Sequence, residues 1–179
     1  MKKSTYLLVL LAALTFITCS KDDGNSQSES STSLITGDWD LTNFEIPKGK
    51  STLEAAGESV ITDFTATGKN FSSIISFSEN PNTLVSDGSF DTALEISSNG
   101  IPAITQEVSG EDYFLTGSWK LEGDKLTITN EALDQTDIAT ILTLNETSLK
   151  FEVSILRTFF IQDIEIKTEG KAIYTLERK

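Results

Sequence analysis

The sequence predicts an all-β domain: an antiparallel up-and-down meander of about eight to ten strands. Three observations carry that expectation. Short segments alternate apolar and polar residues with a period of two, most clearly where Leu149, Phe151, Val153 and Ile155 share one face and Lys150, Glu152 and Ser154 the other. Turn-forming residues separate these segments at short intervals, as at Glu79-Asn80-Pro81-Asn82, Glu122-Gly123-Asp124 and Asn145-Glu146-Thr147. After Gly37 no stretch sustains a period of 3.6, and only Leu53–Glu58 and Glu131–Thr136 leave room for a turn or two of helix. Strands with one apolar face must pack against a second sheet or close on themselves, and closure into a barrel removes the exposed edges of a long meander.

The strands follow in order. Trp39–Ile46 opens the domain behind Gly37-Asp38, and Val60–Thr67 follows. Phe71–Ser78 and Thr83–Ser86 form a hairpin across the Pro81 turn, and Phe90–Ile96 continues the sheet. Gly117-Ser118-Trp119 repeats the glycine-x-tryptophan opening. Trp119–Leu121 then pairs with Lys125–Thr129 across Gly123, which supplies the positive φ of a tight turn. Ile138–Leu144 pairs with the strand from Leu149, and Ile161–Thr168 and Ala172–Glu177 complete the meander. Between them, Ile155–Ile161 is apolar on both potential faces and breaks the alternation.

Upstream of this domain, residues 1–18 read as a signal peptide. Lys2 and Lys3 make a positive start, and Tyr6–Ile17 is apolar except for Thr15. Twelve residues fall short of the roughly 20 that a membrane-spanning helix needs. The stretch ends at Phe16-Ile17-Thr18-Cys19, which resembles a bacterial lipobox, with Thr18 where a smaller residue is usual. The resemblance implies cleavage before Cys19 and acylation of that cysteine; the alternative is an ordinary signal peptide with a chance cysteine. Cys19 is the only cysteine, so no intramolecular disulfide supports an exported domain. Lys21-Asp22-Asp23 is similar to the Lys-(Asp/Glu)₂ signal of Bacteroidetes-type lipoproteins. That similarity implies display on the outer cell surface, against the plainer reading of a few solvated charges. Residues 19–33 form the lipidated cysteine and a Ser-rich tether, whose flexible part reaches roughly 20 Å. The domain occupies residues 34–179.

Composition narrows the function classes. The chain carries 27 Asp and Glu against 14 Lys and Arg, a net charge of −13, which repels phosphate and disfavours nucleic acid as a partner. It has no histidine, which removes the usual neutral-pH general base and the commonest transition-metal ligand. No nucleophile elbow, phosphate loop, dinucleotide fingerprint or zinc spacing occurs, so we expect no enzyme, no cofactor and no metal site. Two acidic groups, Glu107-Glu111-Asp112 and Glu131-Asp134-Asp137, read as solvated surface, since neither follows the calcium-loop spacing.

The glycine-x-tryptophan opening, the meander, the Tyr113–Leu121 and Asp124–Ile128 segments and the closing Ile173–Arg178 together resemble the lipocalin-like domains of bacterial lipoproteins. The resemblance covers residues 34–179. It implies that Trp39 plugs the closed end of a barrel and that Arg178 packs over it; the alternative for Arg178 is a frayed terminal side chain. It also implies a binding module for a small apolar or amphipathic ligand, held at the membrane by N-terminal acyl chains. Phe159 and Phe160 would then line the mouth, with Phe77, Phe151 and Val153 on the inner walls. Charged ligands are disfavoured, with only two arginines to pair an anion. The alternative is a filled barrel that contacts a partner through its loops. The sequence sets no oligomeric state.

Overall fold

The structure is a computed structural model. It describes residues 32–55, 57–98, 101–111, 116–161 and 164–179, and only the backbone of residues 55, 101–103, 110–111 and 159–161. The signal peptide, Cys19, Lys21, Asp22, Asp23 and most of the tether lie outside the described residues.

After a helical turn at 32–35 the chain is almost continuous β-structure. The strands are β1 (Gly37–Ala55), β2 (Glu58–Lys69), β3 (Ile74–Ser78), β4 (Thr83–Asp87), β5 (Phe90–Ser98) and β6 (Ile101–Glu111). They continue as β7 (Gly117–Glu122), β8 (Lys125–Asn130), β9 (Gln135–Leu144), β10 (Ser148–Ile161) and β11 (Ile164–Arg178). A single 3₁₀ turn, Glu131–Leu133, links β8 to β9.

The pairing order is β11-β10-β9-β8-β7-β4-β3-β1-β2-β5-β6, with β11 also paired to β1. It simplifies once collinear pieces are joined. Along β1, β2 pairs with the upper part from Glu45 to Ala55 and β3 with the lower part from Gly37 to Asp40. β5 and β4 repeat that division against β2 and β3, and β6 and β7 repeat it against β5 and β4. Three of the staves are therefore broken strands, and the whole is an eight-stranded antiparallel up-and-down barrel. β11 closes it on β1 from Trp39↔Arg178 to Glu54↔Glu165. The first two breaks lie side by side. Asn70 there takes φ 52°, and Ser72 donates from both its backbone N–H and its hydroxyl to the Ser89 carbonyl, at 2.9 and 2.8 Å.

Strand formation exceeds the expectation in three places. Leu53–Glu58 is no helix but the tip of the β1–β2 hairpin, with Ala55 opposite Glu58. Ile101–Glu111, outside the predicted strands, is β6. Ile161–Thr168 and Ala172–Glu177 are not two strands: Ile155–Ile161 prolongs β10, and β11 passes unbroken through Gly170, which faces Gly49. Backbone pairing on both sides of β11 outweighs the weak strand preference of a glycine.

The lower barrel is solid. Trp39, Leu126, Leu149 and Leu176 are fully buried there, with Ile75, Phe77, Leu84 and Trp119 packed among them. Both glycine-x-tryptophan openings have local causes. Gly37 sits at φ 124°, and a Cβ there would approach Arg178 Nη1 to 2.7 Å. At Gly117 a Cβ would run into the Thr129 carbonyl oxygen. The indoles that follow are held by their N–H groups. Trp39 Nε1 donates to the Ile35 carbonyl at 2.8 Å, and Trp119 Nε1 to the carbonyls of Ser78 and Thr83 at 3.0 and 3.1 Å.

Candidate functional site

The base of the barrel is sealed by groups from both chain ends. The Arg178 guanidinium carbon lies 4.1 Å from the Trp39 ring centre. Its Nη1 donates to the Thr36 carbonyl at 2.9 Å, its Nε to the Glu146 carbonyl at 2.7 Å, and its Nη2 to the Leu34 carbonyl. Arg178 therefore fastens the helical turn at 32–35 and the β9–β10 loop across the indole. A frayed terminus would satisfy none of these carbonyls.

Above this base runs a connected set of rings. Phe71 stacks on Phe90 at 5.6 Å, Phe44 meets both Phe90 and Tyr174 at 5.1 Å, and Tyr174 stacks on Phe151 at 5.1 Å. Beyond them the barrel is hollow. The cavity has a volume of about 750 Å³, within the roughly 300–1,000 Å³ of small-molecule sites. Phe44 and Tyr174 form its floor, and Ile46, Phe64, Leu94, Val153 and Ile155 are prominent in its wall. The strand period places them: Phe64 and Ala66 on β2 and Leu94 and Ile96 on β5 alternate with outward polar residues, and Val153 and Ile155 share one face of β10.

The polar part of the lining has a definite chemistry. Ser51, Thr62, Ser154, Thr158 and Thr168 contribute hydroxyls. Thr92 lies near the floor at 5% exposure, and its Oγ1 has no hydrogen-bond partner among the described residues. The charged lining residues are Asp137 and Arg157, which pair with each other at 3.3 Å. Gln135 also donates to Asp137. The Asp137 side chain is only 12% exposed, while Arg157 keeps about half its surface in solvent, at 52%. On the outer rim, Lys167 is held protonated above the usual lysine range, first by Glu165 and then by Glu54.

Among the described residues, the pair stands beside a gap in the barrel wall. β10 pairs with β9 only from Leu149 to Val153, and its upper half, from Ser154 to Ile161, pairs among the described residues with β11 alone. Across the gap β6 pairs with β5 alone. The short β8–β9 hairpin stops below, with its tip at Glu131–Leu133. Among the described residues, the cavity wall is thus incomplete on the side where Arg157 sits.

The sequence-based candidates are distributed as follows. Val153 is in the cavity wall. Phe151 lies under the floor against Tyr174. Phe77 is in the solid base, edge-on to Trp119 at 5.8 Å. Phe159 and Phe160 are on the upper half of β10, paired there with β11, and their side chains lie outside the described residues. Of the acidic groups read as surface, Glu107 is on β6 and pairs with Lys69 at 3.0 Å, while Asp137 turns inward to the cavity, a correction to that reading. Asp137 opposes Ile128 across the β8–β9 ladder, and that register brings both to the inner face. Phe44, Phe64, Leu94, Arg157 and Tyr174 are site residues that the sequence did not single out.

The chain was compared with protein-family models, with characterised proteins and with solved structures, and none matches.

Proposed function

We propose that the chain is a lipid-anchored, surface-displayed, lipocalin-like binding module whose upper barrel holds a small apolar or amphipathic ligand. One observation carries this reading: a cavity of about 750 Å³ with a largely apolar wall lies above a fully packed base. A barrel serving only as a scaffold gains nothing from the hollow, because unfilled apolar space forfeits dispersion contacts in its lining. A ligand that buries apolar surface gains about 25 cal/mol per Å² before the costs of association. The rival reading, a filled barrel acting through its loops, fits the base but leaves the cavity without a role.

The anchor and the surface address rest on Cys19 and Lys21-Asp22-Asp23. Nothing in the reading requires a catalytic step, a cofactor or nucleic acid. Native mass spectrometry of the full chain tests the binding claim. We expect a second species, heavier by one small-molecule mass, that loses the addition on collisional activation. A single apo species from every preparation, together with no saturable binding of any apolar probe, contradicts it.

A further inference from the structure

The two charged groups in the cavity lining face each other. We propose that the ligand is an uncharged amphiphile, an apolar body ending in a hydroxyl or amide head, and that its head lies against the Asp137–Arg157 pair at the side opening. This inference rests on the reading of the cavity as a binding site and names the ligand class for it.

Asp137 and Arg157 are 3.3 Å apart and sum to zero, so this pair offers no net charge to a head group. It does offer both hydrogen-bonding senses. The guanidinium has five N–H donors, of which the described contacts use one, and the carboxylate accepts. A hydroxyl or a primary amide, which both donates and accepts, meets the two sides at once. A free carboxylate head meets the Asp137 carboxylate beside the guanidinium, and like charges at that distance repel. The −13 charge of the chain opposes it further.

The remaining polar lining agrees, because Ser51, Thr62, Ser154, Thr158 and Thr168 are all neutral hydroxyls. Orientation follows from burial. Arg157 keeps about half its side chain in water, at 52%, so a head beside it stays solvated. The tail runs inward to the ring floor at Phe44 and Tyr174, where no charged residue lines the cavity. Entry is sideways, through the gap between β6 and the upper half of β10, where the described backbone has no ladder to break.

The test uses the full chain with Nile red, an uncharged environment-sensitive dye, as reporter. Dodecanamide and dodecanoate, which differ only at the head, are the competitors, at a pH where the acid is ionised. We expect dodecanamide to displace the dye at about one tenth of the dodecanoate concentration, the ratio that one hydrogen bond to a charged group supports. Asp137→Asn frees the guanidinium, and dodecanoate should then improve about tenfold and match or pass the amide. Arg157→Met should weaken dodecanamide about tenfold relative to Nile red, whose direct titration into the same variant supplies the reference. Equal or tighter dodecanoate binding by the native chain overturns the assignment but leaves the cavity as a binding site. So does an Arg157→Met chain with unaltered dodecanamide affinity. Absence of saturable dye binding by the native chain removes the binding reading itself, and this inference with it.

Discussion

Trp39 has no exposed surface, and the groups that bury it come from opposite ends of the domain. Its N–H is satisfied by Ile35 and its face is covered by Arg178, which in turn holds three carbonyls. Truncation therefore removes a buried ring and uncovers the Arg178 guanidinium stacked on it. Trp39→Ala should lower unfolding free energy by about 3–5 kcal/mol, much of the roughly 5–15 kcal/mol typical of a domain. Chemical denaturation followed by circular dichroism checks this, and an unchanged midpoint would place the indole outside the core. Much of this was legible in the sequence, because Gly37-x-Trp39 is local and alternation puts Arg178 on the face of Tyr174 and Leu176. The carbonyls that Arg178 binds were not, since Thr36 and Glu146 come together only when the barrel closes. Height along the barrel axis was equally hidden. Alternation turns Phe77, Phe151 and Val153 inward, but ladder register alone decides that Phe77 meets Trp119 while Val153 meets the cavity. Asp137 was misread for the same reason. Ile138, Ile141 and Leu142 give β9 two candidate apolar faces, and only its pairing with β8 selects the one that includes Asp137.

At the scale of the element, β10 is two strands in function. From Leu149 to Val153 it is paired on both sides; from Ser154 onward it is, among the described residues, an edge. Edge strands expose every second backbone N–H, so exchange with solvent should divide at that boundary. In deuterium-exchange NMR, the amides of Leu149–Val153 should all be slow. Over Ser154–Thr158 slow and fast amides should alternate, the slow ones being those bonded to β11. Uniform protection across both halves would mean that the side opening is covered. The sequence signalled this region indirectly, because the alternation of β10 fails from Ile155 onward, as expected where one side of a strand loses its neighbour. It gave less sign of β6. β6 holds Pro102 and Gly110, and with described pairing on one side alone it tolerates proline, because the other side needs no donors.

For the whole molecule, the sequence carried the class of fold well and the interior poorly. Period-two alternation and frequent turns suffice for an all-β meander, and the cost of open edges suffices for closure. Whether a closed barrel is solid or hollow depends on where ring-bearing strands fall in register. Here Phe44, Phe71, Phe90, Phe151 and Tyr174 meet at one level and leave the space above them open. The anchoring proposal belongs to this scale too. Metabolic labelling with a palmitate analogue should tag the native chain and leave Cys19→Ser unlabelled; equal label in both would contradict acylation at that residue. Stable attachment takes more than one acyl chain, which a lipoprotein-type modification supplies.

The central claim, that the upper barrel is a ligand site, is tested most directly by filling it. Ala66 is 3% exposed and lines the cavity from β2, so Ala66→Trp directs an indole into the hollow. Nile red titrated into the native full chain should bind saturably at one site. The Ala66→Trp chain, melting at the same temperature as the native chain within a few degrees, should bind the dye at least about tenfold more weakly, because most of the apolar surface offered to it is gone. Equal affinity in the two chains at equal stability would place binding outside the cavity and contradict the account.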